Sequence, residues 1–215
     1  ELLGQMMEHY PSSIAVAGTH GKTTTTSMIS QILIEANTDP TISIGGILNL
    51  INDNTRIGKS DYFVIESCEY TNSFFHFFPK YSVILNIEED HLDFFKDLQD
   101  IRHSFMHYIS NTKEDGVVIM NSEIEQIEEL SSQTNALILK FGFLDSDDYQ
   151  AREIRFEHDC TYFQLWIKGE YSRTIQLSLP GQHNVSNALA AIACAHSAGV
   201  SLDNISESLS HCSGA

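Results

Sequence analysis

Ten consecutive residues carry the densest chemistry in the chain: Ala17-Gly18-Thr19-His20-Gly21-Lys22-Thr23-Thr24-Thr25-Thr26. Backbone N–H groups in a glycine-rich turn that opens a helix point together and favour negatively charged oxygens, reinforced by the positive end of the helix. In such a loop a lysine at position 22 reaches terminal phosphates, and the hydroxyl of Thr23 sits on the accompanying Mg²⁺. Gly18, Thr19, His20, Gly21, Lys22, Thr23 and Thr24 are therefore the candidate phosphate-binding set. The usual pattern has one more glycine, five positions before Gly21, where this chain has Val16. Context supplies the missing support: the apolar run Ile14-Ala15-Val16-Ala17 reads as a buried strand, and Met28, Ile29, Ile32, Leu33 and Ala36 follow at helical spacing. A loop that merely caps a helix is the bland alternative, and it leaves the lysine and four threonines without a purpose.

Two further polar segments follow strand-like runs. Glu66 comes after Val64-Ile65, and Glu88, Glu89, Asp90 and His91 come after Asn86-Ile87. The C-terminal edge of a strand is where open α/β sheets bind ligands. Glu66 there is either a hard oxygen ligand for Mg²⁺, direct or through water, or a solvated strand-end carboxylate. His91 is either part of the same site or a capping residue. Asp93 and Asp97 read as solvated or helix-capping groups.

The elements that must position these residues alternate. Leu2, Leu3, Met6 and Met7 mark a short helix ended by Pro11, and the strand before the loop follows. Strand-like runs recur at 62–65, 81–87, 117–120 and 136–139. Helices are expected around Leu98, Ile101, Phe105 and Tyr108 and over 123–132, with a short helix or turn around Phe74, Phe75, Phe77 and Phe78. From about residue 145 the pattern turns to antiparallel strands, closed by Pro180-Gly181. A long helix is expected over 184–198 with Gly199 as its stop, and a last helix over 203–209 capped by Ser201. The fold class is α/β: a mostly parallel sheet with flanking helices, the phosphate loop at the first strand–helix turn, and a small antiparallel section near residues 151–179.

Composition narrows the function classes. At 215 residues the chain can bury a full core without a disulfide framework. Twenty-nine acidic against 12 basic residues give a formal charge of −17, which argues against a nucleic-acid partner, since such binding rests on Lys and Arg. The acids concentrate at 123–129 and 145–148, where they are expected to form solvated faces away from the loop. Cys68, Cys160, Cys194 and Cys212 are too scattered for a paired metal or redox motif and read as reduced cytosolic thiols, Cys194 in a core. The absence of a long apolar run predicts no membrane insertion and a cytoplasmic location.

Taken with Glu66-Ser67-Cys68-Glu69, Asn86-Ile87-Glu88-Glu89-Asp90-His91-Leu92-Asp93 and Gly181-Gln182-His183-Asn184-Val185-Ser186-Asn187-Ala188, the loop resembles the Mur ligase family. These are ATP-dependent amide-bond-forming enzymes of peptidoglycan precursor synthesis, related to folylpolyglutamate synthase. Four segments in order cover nearly the whole chain and resemble the family's central ATPase domain. The resemblance implies ATP and Mg²⁺ as cofactors and Lys22, Glu66 and His91 as catalytic. Lys22 would contact the β- and γ-phosphates, Thr23 and Glu66 share a first metal, His91 serve a second, and His183 and Asn187 lie beside adenine. Asn184 is open between a site role and a helix cap.

Within the family the likeness points to the alanine-adding branch, whose substrates would be UDP-N-acetylmuramate and L-alanine, joined through an acyl phosphate. That branch usually has Glu-Ala-Asp-Glu where Glu66-Ser67-Cys68-Glu69 stands, so Cys68 replaces an aspartate, and no carboxylate stands at that position for a water-mediated metal contact. The alternatives are a sister ligase acting on a murein peptide and a non-catalytic nucleotide-binding module. Glu1 in place of an initiator methionine and the ending Ser213-Gly214-Ala215 accord with an excised central domain, residues 1–215. Its N-terminal UDP-binding and C-terminal lid domains would lie elsewhere.

Overall fold

The computed structural model describes residues 2–212; Glu1 and Ser213-Gly214-Ala215, on which the reading of the chain ends rests, lie outside it. Among the described residues one ten-stranded sheet runs through the molecule in the order β10-β9-β8-β7-β6-β5-β1-β4-β2-β3. The strand that leads into the glycine-rich loop, β1 (Ser12–Ala17), is flanked in parallel by β4 (Tyr62–Glu66) and β5 (Tyr81–Ile84). The parallel order continues through β6 (Val117–Asn121) and β7 (Leu137–Gly142) on one side, and through β2 (Thr41–Leu48) on the other.

Period-2 alternation divides β1 between two cores. Ile14 and Val16 face an apolar cluster with Met28, Ile29 and Ile32 of α2 (Lys22–Glu35) and Ala188, Leu189 and Ile192 of α5 (Gln182–Ser197). Ala15 and Ala17 face the other cluster, with Phe74, Ile101, Phe105 and Tyr108, the last three on α3 (Leu98–Ser110). Strands covered on both faces must read as continuous apolar runs, which is why they stand out in the sequence. Cys194 is fully buried in the first core, and that burial pushes its thiol pKa well above the ordinary value.

The antiparallel section is as expected. β8 (Tyr149–Glu157), β9 (Cys160–Ile167) and β10 (Glu170–Leu177) form a meander with two-residue turns at His158-Asp159 and at Lys168-Gly169, the latter two both at positive φ. β8 joins the rest through a short parallel pairing with β7. Asp97 caps α3 by accepting from the Asp100 N–H, and Ser201 caps α6 (Leu202–Leu209) by accepting from that of Asn204.

Three local expectations change. β2 and β3 (Asp53–Arg56) form an antiparallel pair that the pattern does not announce, because Gly45-Gly46 interrupts one apolar run and the other strand is entirely polar. The helix expected over 123–132 shrinks to α4 (Ile127–Ser131). Asn121 instead organises a turn by accepting from the N–H groups of Glu123 and Ile124, and the Arg102 guanidinium takes the Glu125 carbonyl at 2.7 Å. Finally, the 145–148 acids do not form one solvated face. Asp147 is buried, accepting from Ser122 Oγ and Leu144 N–H, and burial raises its carboxyl pKa.

Candidate nucleotide and metal site

The loop Gly18–Gly21 leaves the C-terminal end of β1 and runs into α2. Its first glycine is at φ +145°, and a Cβ there would come within 2.9 Å of Leu85 Cβ. Asn86, at the end of the neighbouring strand, clamps the turn with its whole side-chain amide: Oδ1 accepts from His20 N–H at 2.7 Å, and Nδ2 donates to the His20 carbonyl at 3.1 Å. Thr19 Oγ1 accepts from Glu88 N–H at 2.9 Å. Helix α2 then begins behind Gly21 in the left-handed region, without a side-chain cap. Its first-turn N–H groups thus remain directed out of the helix end, the arrangement that receives an anion.

Lys22 folds back over this loop. Its ammonium donates to the carbonyls of Gly18 at 2.6 Å and Thr19 at 3.3 Å, and pairs with the Glu69 carboxylate at 3.1 Å. Glu69 is 2% exposed, so the pair is made almost out of water. Sequence reasoning placed no role on Glu69. Its only signal was membership of the segment that begins at Glu66, and the contact depends on how the chain turns after β4.

Glu69, Asp90 and His91 are the described residues grouped so as to hold a metal ion, their ligand atoms all within 4.8 Å of one another. Two carboxylates and an imidazole suit a hard divalent ion such as Mg²⁺ or Mn²⁺. Tyr70 ties the two loops together. Its ring lies 4.7 Å from that of His91, and its hydroxyl donates to Asp93 at 3.0 Å, a bond that raises the phenol pKa.

Glu66 stands apart from this group. It ends β4 opposite Val16, half-buried, with Oε1 accepting from Gly45 N–H at 2.9 Å. Thr23 and Thr24 lie in the first turn of α2, also half-buried. Cys68 is exposed beside Glu69.

His183 and Asn187 lie one turn apart on α5 and line a cavity of about 500 Å³ together with His20, Gly21 and Phe143. Expecting them on one helix face is right, since α5 already begins at Gln182. Asn184 donates to the Pro180 carbonyl at 2.7 Å, which gives it the structural job of tying down the helix start. Glu123 lines the same cavity, so the acidic run from 123 does not lie away from the loop as expected. A second cavity of about 570 Å³ adjoins it, sharing Asn86 and Asn121.

The glycine-rich loop, the carboxylate–histidine group and the α5 cavity therefore share one edge of the sheet. Residues 16–195 match the family model described as the Mur ligase middle domain. The chain belongs to the Mur ligase family. A UDP-N-acetylmuramate–L-alanine ligase of Agathobacter rectalis is 53% identical over 216 residues, covering 100% of this chain and 47% of that protein. The Thermotoga maritima UDP-N-acetylmuramate-alanine ligase structure matches with a TM-score of 0.84 at 29% identity, over 99% of this chain and 48% of the other. The Neisseria meningitides UDP-N-acetylmuramate:L-alanyl-gamma-D-glutamyl-meso-diaminopimelate ligase matches with a TM-score of 0.89 at 28% identity, over 100% and 70%. This Mur ligase chain spans about half the length of the curated relatives it matches. No helix among its described residues is long and apolar enough to cross a membrane.

Proposed function

We propose that the chain is the ATP- and metal-binding middle domain of a cytoplasmic enzyme that joins L-alanine to the carboxylate of UDP-N-acetylmuramate. The convergence of the 18–24 loop, the Glu69–Asp90–His91 group and the His183–Asn187 cavity at one sheet edge carries this reading. In the proposed reaction the muramate carboxylate takes the γ-phosphoryl group of ATP, releasing ADP. The amino group of alanine then attacks the resulting acyl phosphate, losing a proton and expelling phosphate.

The residues of this chain would contribute alignment and charge. Gly18, Thr19, His20, Gly21 and Thr24 present backbone to the phosphates, and Lys22 neutralises charge developing on the transferring group. Asn187 and His183 hold the base end, fixing the line along which the phosphoryl group moves. Thr23 and Glu66 would hold a first Mg²⁺ and His91, with Glu69 and Asp90, a second. The chemistry these ions supply is neutralisation of phosphate oxygens. The acceptor and amino acid would be held by UDP-binding and lid domains elsewhere in the protein.

The identity of the curated relatives at 53% and 50% favours alanine addition over a murein-peptide acceptor. The experiment is a phosphate-release assay beside chromatography for UDP-muramoyl-alanine, run on the protein with and without its flanking domains. Ligation is expected only with the flanking domains and lost in Lys22→Ala; the 215-residue chain alone should hydrolyse ATP slowly and ligate nothing. Product from a murein tripeptide in place of UDP-N-acetylmuramate would instead identify the sister ligase, and neither product in any form would leave the nucleotide-binding module.

A further inference from the structure

The lysine of the phosphate loop is already fully engaged within the chain. An ammonium has three hydrogens to donate, and Lys22 has the Gly18 carbonyl at 2.6 Å, the Thr19 carbonyl at 3.3 Å and the two Glu69 oxygens at 3.1 and 3.3 Å. Glu69 cannot be released without consequence, because it is 2% exposed and Lys22 is the cation paired with it. Stripping a buried carboxylate of its partner leaves an uncompensated charge, which is strongly unfavourable. An anion that pulls Lys22 away must therefore strand Glu69 and add its own charge beside it.

A divalent cation removes that obstacle. Glu69 offers an oxygen within 4.8 Å of ligand atoms on Asp90 and His91, so a cation among the three would take over the neutralisation that Lys22 performs. Lys22 would then be free to turn its hydrogens toward phosphate. Tyr70, next to Glu69 in the chain and packed on His91, keeps both halves of this exchange close.

We propose that Glu69 is a specificity-determining residue: by holding Lys22 until a divalent cation compensates its charge, it makes the loop select metal-complexed triphosphate over bare phosphate anions. The inference rests on the metal reading given under Proposed function. Cation and triphosphate tighten each other's binding, and the coupling is reciprocal. Metal-free phosphate, pyrophosphate and nucleotide meet a loop whose lysine is occupied.

The test uses inorganic tripolyphosphate in the presence of EDTA, titrated calorimetrically, and Mn²⁺ alone, followed by electron paramagnetic resonance. Glu69→Gln should bind metal-free tripolyphosphate about tenfold more tightly than the parent, within the usual range of coupling between sites. Glu88→Gln removes a carboxylate that lies beside His20 instead of Lys22, and should change that affinity less than about twofold, as for an exposed charge. Lys22→Ala should bind Mn²⁺ alone more tightly than the parent, since Glu69 has lost its competitor. A folded Glu69→Gln protein with unchanged or weaker metal-free affinity, or an equal gain in Glu88→Gln, would overturn the proposal. If Glu69→Gln does not fold, the Mn²⁺ affinity of Lys22→Ala decides, and no gain there overturns it. The underlying site reading fails separately, if Lys22→Ala binds Mg·ATP as the parent does.

Discussion

The side-chain oxygen of Asn187 lies 2.5 Å from the point that a Cβ on Gly21 would occupy. Residues 166 positions apart thus meet where the glycine-rich loop enters α2, and Gly21 is required twice over: by that approach and by its φ of +84°. Gly21→Ala is expected to lose about 1–2 kcal/mol from the left-handed backbone alone. It should also weaken Mg·ATP at least about tenfold, equivalent to about 1.4 kcal/mol. Adding Asn187→Ala relieves the collision but not the backbone strain, so the double variant should recover only part of the melting temperature. Parent-like stability and affinity in Gly21→Ala would contradict the geometry.

Asn187 is buried at the loop and also lines the α5 cavity. Asn187→Ala is expected to weaken ATP while leaving inorganic tripolyphosphate with Mg²⁺ nearly unchanged, since only the first ligand has a base to hold. Titration of both ligands checks this. An equal loss for the two would mean that the amide acts by bracing Gly21.

Glu66, at the end of β4, and His91, in the loop after β5, are half-buried and lie outside both apolar cores. Replacing either with alanine should shift stability by no more than about 0.5 kcal/mol, as for residues without core packing. Mn²⁺ binding with nucleotide present should fall in both. Because His91 groups with Glu69 and Asp90 and Glu66 does not, paramagnetic relaxation should show loss of different fractions of the bound ions in the two variants. A large fall in melting temperature with Mn²⁺ binding intact would assign both residues to the fold.

His196 supplies a pH dependence. Its Nδ1 lies 2.9 Å from the Tyr149 hydroxyl, and burial, with the positive charge of Arg173, lowers its pKa. An unfolded histidine titrates near 6.5, so between the lowered folded value and about 6.5 the unfolded chain binds more protons. Stability from this group is therefore complete above about pH 6.5 and declines as the pH falls toward the folded pKa. Thermal melts from pH 7.5 to 5 should show that decline in the parent and a shallower one in His196→Asn. Parallel curves would remove His196 from the account.

The sequence by itself determined the sheet's buried strands, the glycine-rich turn from β1 into α2, the antiparallel section and the placing of His183 and Asn187 on one helix face. Each depends on local periodicity or on a run of neighbouring residues: two-sided burial forces unbroken apolar strands such as Ile14-Ala15-Val16-Ala17, and one helix turn sets a spacing of four. Strands β2 and β3 escaped because Gly45-Gly46 breaks the apolar run of β2, whose Ile42, Ile44 and Leu48 are buried, while β3 at the sheet edge is entirely polar; α4 fell short because Arg102, distant in sequence, takes a carbonyl a longer helix would use. Only the tertiary structure decided which carboxylate meets Lys22. Glu66 and Glu69 are three residues apart and chemically alike, but β4 ends at Glu66 with its side chain on Gly45, while the chain beyond turns Glu69 inward to the loop. A contact between groups 47 positions apart is set by where two strand ends lie in the sheet, and no pattern along the chain records that.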